Sequence, residues 1–231
     1  FSILLSCKQS KKDLEYNSLV NHWEFSQKGD SIWKPATVPG TVQTDLLNLG
    51  EIAHPFIGTN EDSIQWISEK NWTYKTQVSV SEEKLLKSKH FLRFEGLDTY
   101  ADIYLNDSLI IKTNNAFRSW EVDVSDVLKV ANELKIILNS TDLFEKKETE
   151  KLDYELPESP RIFTRKPQYQ FGWDWGPTIK TMGITKGISL ISYDKIRFKN
   201  VFLKTNSISV SKAEISAELT IHTQKKEEVI V

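Results

Sequence analysis

The sequence predicts an all-β protein, a sandwich or jelly roll, and three features of its patterning lead there. The run "WTYKTQVSV" puts Trp72, Tyr74, Thr76, Val78 and Val80 on one side and Thr73, Lys75, Gln77 and Ser79 on the other, the alternation of a half-buried strand. Similar short runs follow at close spacing with turn residues between them. Helical periodicity is confined to a few brief segments. With 231 residues, 39% of them hydrophobic, the chain has enough apolar material for a substantial core.

The strands can be justified in order. "FLRFEGL" reads as a strand through Leu92 and Phe94, and "ADIYLN" through Ala101, Ile103 and Leu105. "SLIIKT" follows directly, so Asn106-Asp107 is predicted to be a hairpin turn. "SWEVDV" (Val122, Val124), "ELKIILNS" (Leu134, Ile136, Leu138) and "GISLISY", ending at Tyr193, extend the series. Among the helical segments, "TVQTDLLNLG" sets Val42, Leu46 and Leu49 on one face and ends at Gly50. "SEEKLLK" is a short helix capped by Ser81. "DLFEKKETEKLDYELPE" places Leu143, Phe144 and Leu152 among alternating charges and is expected to be a solvated helix or long loop. After Tyr193 fresh strands appear, with Ala217, Leu219 and Ile221 alternating, which reads as the opening of a second β-sandwich. The expected division is therefore 1–15 as leader and tether, 16–194 as the first domain and 195–231 as the start of another.

Both ends bear on what the chain belongs to. The only methionine is Met182 and the last residues are the apolar Val229 to Val231, so a longer parent chain is expected. At the other end, Phe1 to Leu5 are largely apolar and the character turns polar after Cys7. The order Leu4-Leu5-Ser6-Cys7 resembles the lipobox of bacterial lipoproteins, in which lipid is attached to the cysteine. Cys7 is the only cysteine, and "KQSKKD" after it suits a tether. A periplasmic or cell-surface, lipid-anchored location follows, with the membrane met only through that anchor, since no stretch is long enough to span a bilayer.

Composition excludes several functions. The formal charge is −2 with both signs mixed along the chain, so no nucleic-acid partner is expected. One cysteine and the scattered His22, His54, His90 and His222 give no metal-ligand spacing, and no Gly-rich phosphate loop or serine elbow is present; neither metal nor cofactor is expected. The acids Glu95 and Asp98, near a strand end, read as turn or salt-bridge residues rather than as a catalytic pair.

What remains is a set of aromatics with polar neighbours: Trp66, Trp72, Phe117, Trp120, Tyr169, Phe171, Trp173 and Trp175, near Arg118, Arg165 and Asp174. A sugar offers apolar C–H faces and hydroxyl edges, so its site needs an aromatic platform beside a fixed hydrogen-bonding group. "RKPQYQFGWDWGP" supplies both in one loop, with Gly172 and Gly176 easing the backbone and Pro177 stiffening the exit. The same residues also read as core anchors, Trp173 and Trp175, around a turn held by a buried Asp174.

Four blocks in order, "WKPATVPGTVQTDLLNLGEIAHPFIGTNEDSIQWISEKNWTY", "LRFEGLDTYADIYLN", "NNAFRSWEVDV" and "RKPQYQFGWDWGP", resemble the N-terminal domain of β-mannosidases of glycoside hydrolase family 2. The resemblance runs from about Trp23 to Tyr193. It implies a galactose-binding-like jelly-roll domain that binds sugar, then an immunoglobulin-like domain, then a barrel holding two catalytic glutamates, so this chain carries no catalytic residue. It further implies that the WDW loop packs against that barrel and completes its sugar pocket. Asp174 would accept from hydroxyls of a β-mannoside or manno-oligosaccharide, Trp173 and Trp175 would form the wall, and Arg165 would be a cation orienting the acid. The chain departs from the family at Thr185, where Trp is usual after Gly-Ile, at Gln43, where His is common, and at His54, where Asp is common.

Three functions are compatible with these residues. The first is the N-terminal part of an exo-acting β-mannosidase that releases terminal non-reducing β-D-mannose with retention. The second is a stand-alone carbohydrate-binding module. The third is another family 2 exo-glycosidase such as a β-galactosidase, against which the WDW block argues.

Overall fold

The computed structural model describes residues 14–19 and 22–223; Cys7 lies outside the described residues. Along the chain run β1 (Leu14–Ser18), β2 (Trp23–Gln27), β3 (Lys34–Ala36), β4 (Gly40–Thr41), helix α1 (Val42–Asn48) and a 3-10 helix over Asn60–Ile67. Then come β5 (Trp72–Ser79), α2 (Glu82–Leu85), β6 (Lys89–Phe94), β7 (Tyr100–Leu105), β8 (Ser108–Asn114), β9 (Trp120–Asp123) and β10 (Ala131–Asn139). Helix α3 (Thr141–Thr149), 3-10 segments at Pro160–Phe163 and Gln168–Phe171, β11 (Gly183–Ile184), β12 (Ile188–Tyr193), β13 (Ile196–Ile208) and β14 (Ala213–Thr223) complete the order.

Two antiparallel sheets face each other as a β-sandwich. The larger has the order β3-β2-β5-β10-β7-β8 and the smaller β1-β12-β6-β9. Their inward residues are those the alternation predicts: Trp72, Tyr74 and Val78 from β5, Ala101, Ile103 and Leu105 from β7, and Leu134, Ile136 and Leu138 from β10 are all buried. From the opposite sheet come Leu92, Phe94, Ile188 and Leu190. Each such aliphatic side chain contributes about 1.5–3 kcal/mol by leaving water. Phe25 stacks on Tyr74 with ring centroids 5.6 Å apart. Asn106 and Asp107 both have positive φ (51° and 63°), the two-residue turn that matches the twist of a hairpin.

Some boundaries differ from the sequence expectation. β1 starts at Leu14, pairing with Tyr193 of β12, so the first strand takes up two residues read from sequence as tether. α1 buries Val42 and Leu46, but it ends at Asn48, and Leu49 beyond it is exposed. Thr41 caps this helix reciprocally with Thr44. Helix α3 is more than a solvated segment, because Thr141 and Glu145 are buried and Phe144 packs on Tyr100 with centroids 4.2 Å apart. β13 and β14 pair with each other and, among the described residues, with no strand of the two large sheets.

A small ladder fixes the region that matters below. β11 pairs with β4, bringing Gly183 opposite Thr41 and Ile184 opposite Gly40. The two backbones approach so closely that a Cβ on Gly183 would sit 2.6 Å from Thr41 Cα and nearer still to the Gly40 carbonyl. Since the colliding atoms are main chain, no rotamer change relieves them. Gly183→Ala is expected to lower stability by about 2–3 kcal/mol or to prevent folding; an unchanged urea midpoint would contradict this account of the ladder.

Candidate functional site

The site is built on the irregular segment between Thr164 and Thr181, which leaves the sandwich after the 3-10 turn at Pro160–Phe163 and returns at β11. At its start the Ala116 amide donates to the Arg165 carbonyl at 2.9 Å, so Arg165 docks the loop through its main chain while its side chain is exposed. Next to it, Lys166 is fully buried, at 0% exposure. Its ammonium lies 3.1 Å from Asp98 Oδ1 and donates to the Thr181 carbonyl at 2.6 Å. Asp98 also accepts from the Thr181 hydroxyl and the Thr99 hydroxyl, each at 2.6 Å. Burial pushes the Lys166 amine below the usual lysine range, and the adjacent Asp98 opposes that shift.

The tip is a tight hairpin. Gly172 has φ +96°, a conformation that suits glycine, and a Cβ there would lie 2.7 Å from Thr178 Oγ1. Trp173 and Gly176 then exchange main-chain hydrogen bonds of 3.4 and 3.2 Å, leaving Asp174 and Trp175 as the two residues of the turn. Gly176 has no such positive φ, so of the two glycines only Gly172 is required by its backbone. The Trp173 and Trp175 rings meet edge to face, 6.0 Å apart, and are 54% and 84% exposed.

Asp174 is exposed, and among the described residues no hydrogen bond or ion pair engages its carboxylate. Neither it nor the tryptophans act as buried turn anchors; the main chain of Trp173 and Gly176 holds the turn. No ion pair joins Arg165 to Asp174 among the described residues, so the structure does not bring these two together.

Beside the hairpin lies a cavity of about 800 Å³. Phe56, Tyr169, Trp173 and Trp175 give it aromatic walls, while Asp98, Gln170 and Thr181 contribute polar groups. Thr185 also lines it. Of the aromatics singled out from sequence, Trp72 belongs to the core, Trp66 packs on it at 5.9 Å, and Trp120 carries the Arg118 guanidinium over its face at 4.3 Å. Only Tyr169, Trp173 and Trp175 reach the cavity. Sequence reasoning missed Phe56 and Lys166, although both sit inside the quoted blocks. Glu95 and Asp98 are ion-pair residues, with Arg93 at 3.9 Å and Lys166 at 3.1 Å. Among the described residues no group of His, Cys, Asp or Glu could hold a metal ion.

Behind the loop, Glu145 of α3 is 2% exposed and its Oε1 has no hydrogen-bond partner. Burial raises its carboxyl above the ordinary 4.5, against the opposing influence of Thr164, Lys180 and Lys166. A raised folded-state value makes its contribution to stability greatest below the ordinary pKa and progressively lost as pH rises through the folded one. Glu145→Gln is therefore expected to unfold like the parent near pH 4.5 and at a higher temperature at pH 7–8. A difference in Tm that shrinks as pH rises would refute this.

The fold has relatives among known proteins. Residues 23–186 match the family described as glycosyl hydrolase 2 galactose-binding domain-like. The sequence is 34% identical over 218 residues to beta-mannosidase B of Emericella nidulans, covering 89% of this chain and 26% of that protein. It is 35% identical over 188 residues to beta-mannosidase of Rattus norvegicus, covering 77% and 21%. A crystal structure of beta-D-mannosidase from Dictyoglomus thermophilum superposes with a TM-score of 0.87 at 40% identity, over 91% of this chain and 26% of that one. The chain spans about a quarter of the length of the curated relatives it matches. It belongs to the glycosyl hydrolase 2 galactose-binding domain-like family.

Proposed function

From that membership we propose that the chain is the N-terminal part of an exo-acting β-mannosidase, in which it completes the sugar pocket of a catalytic barrel carried elsewhere in the parent protein. The observation that carries this reading is the Trp173–Asp174–Trp175 hairpin, which holds a carboxylate with no protein partner between two indoles beside an aromatic cavity. An indole offers a sugar's C–H face a flat apolar wall, and a carboxylate accepts from its hydroxyls. The names of the similar proteins support β-mannosides as the substrate class. The reaction proposed for the parent is retaining hydrolysis through a glycosyl-enzyme intermediate, with both catalytic carboxyls outside this chain.

The division at about residue 194 belongs to the same proposal. β13 and β14 are read as the opening strands of an immunoglobulin-like domain, consistent with the exposure of Phe198, Val201, Phe202 and Leu203. Arg165 is kept as a proposed sugar contact on its exposed side chain alone, since it does not line the cavity. At the N-terminus, the order Leu4-Leu5-Ser6-Cys7 supports lipid attachment at Cys7 and a periplasmic or cell-surface location.

Asp174→Ala in the full-length enzyme is expected to reduce kcat/KM on p-nitrophenyl β-mannoside by roughly 30- to 1000-fold, or about 2–4 kcal/mol, because substrate hydroxyls lose their acceptor in a site closed from water. Tm should stay within about a degree of the parent, since the side chain makes no contact that holds the turn. Normal kcat/KM per folded molecule would remove Asp174 from the sugar site. For the anchor, Cys7→Ala should shift the protein from the membrane to the soluble fraction of its host; continued membrane fractionation, or an unmodified thiol by mass spectrometry in the parent, would rule out lipidation.

A further inference from the structure

We propose that the buried Lys166–Asp98 pair is a positioning device for the Trp173–Asp174–Trp175 hairpin, closing the base of its loop so that the tip meets the sugar in one geometry. The inference rests on the reading of that hairpin as a sugar-binding element. Lys166 stands where the loop leaves the sandwich and Thr181 where it returns, and a single carboxylate from the turn between β6 and β7 reaches both. The ammonium is 3.1 and 3.3 Å from the two Asp98 oxygens and 2.6 Å from the Thr181 carbonyl, while the Thr181 hydroxyl donates back to Asp98 at 2.6 Å. These contacts form a closed ring across the neck of the loop.

The ring is tied to the sandwich and to the cavity at once. The Asp98 main chain exchanges hydrogen bonds of 2.9 and 3.1 Å with Gly183, in the β11 strand that packs against β4. The Thr181 amide donates to Gln170 Oε1 at 3.1 Å, and Asp98, Gln170 and Thr181 all line the cavity below the indoles. A displacement at the neck would therefore move the cavity floor relative to its walls. Stability alone gives little reason for this chemistry, because a buried ion pair is commonly matched or bettered by apolar side chains of similar volume. What an apolar pair cannot do is fix the Thr181 carbonyl and hydroxyl in one orientation. Lys166 is the one lysine in the buried set among the described residues, and it occupies the neck of the loop that carries the proposed sugar contacts.

The test uses the full-length parent and the double variant Lys166→Met/Asp98→Asn, which removes both charges, roughly keeps volume and leaves an acceptor for the Thr181 hydroxyl. Hydrogen exchange is followed in peptides covering 168–181, with 131–139 from the central strand as an internal reference, and kcat/KM is measured on p-nitrophenyl β-mannoside. Exchange in 168–181 should rise at least about tenfold with 131–139 unchanged, reporting local opening. In parallel, kcat/KM should fall about 10- to 100-fold, the scale of an ångström-level misplacement. Parent-like exchange in 168–181, or loosened exchange with parent-like kcat/KM, overturns the proposal. If 131–139 also loses protection, the variant has unfolded generally and Thr181→Val decides: removing only the hydroxyl should raise loop exchange about threefold or more, and unchanged exchange overturns the proposal. A parent enzyme without turnover of the β-mannoside refutes the sugar reading instead, and loop exchange then judges the positioning role by itself.

Discussion

An irregular excursion from a β-sandwich carries main-chain donors and acceptors that no ladder satisfies, and the course of the chain from Thr164 to Thr181 is governed by where they find partners. Side chains from within the segment and from distant parts of the chain supply several of them. Gln65 donates to the Thr178 carbonyl at 2.7 Å, and Gln43 bridges the Lys180 carbonyl and the Met182 amide. Gln170 accepts from the Thr181 amide, and Lys166 donates to the Thr181 carbonyl. Three of these four residues are glutamines, whose neutral amide is both donor and acceptor and can be taken out of water without burying a charge. The exception is Lys166, which Asp98 neutralises locally.

This arrangement explains what was and was not legible in the sequence. The strands were legible because inward and outward residues alternate, and a sandwich with one wet face per sheet enforces that period on Trp72 to Val80 and on Leu134 to Leu138 alike. Asn106-Asp107 was legible because few residues accept positive φ twice in succession. Lys166 was not, since a lysine in sequence signals solvent and only an acid 68 residues away makes its burial possible. Glu145 was hidden in a similar way: a glutamate followed by the exposed Lys146 and Lys147 signals solvent, whereas its own position faces inward. Of the candidate site, the WDW hairpin stood out by composition, but the identity of the residues that hold its neck is a property of tertiary contact.

Exposure of Trp173 and Trp175 has an energetic meaning of its own. Indoles are among the largest apolar side chains, and leaving two of them outside a core that buries Trp23 and Trp72 forgoes stabilisation available to either. With exposed Phe56 and Tyr169 they line one cavity, and clustered exposed apolar side chains are the kind of feature that marks an interaction site. The two indoles meet edge to face, and the chain enters their turn through the positive φ of Gly172. Whatever order these groups gain from such contacts lowers the freedom left to lose on binding.

Three further residues around the loop can be read in the same terms. Gln43 pairs its amide with a carbonyl and an amide two residues apart on the returning loop, at 2.9 and 3.2 Å. His54 Nδ1 accepts from the Phe56 amide two residues on, at 3.3 Å, the bond an aspartate side chain makes in an Asx-turn. Phe56 is thereby held toward the cavity it lines. Thr185 differs in kind, because its small polar side chain lines the cavity and so forms part of the wall itself rather than the support behind it.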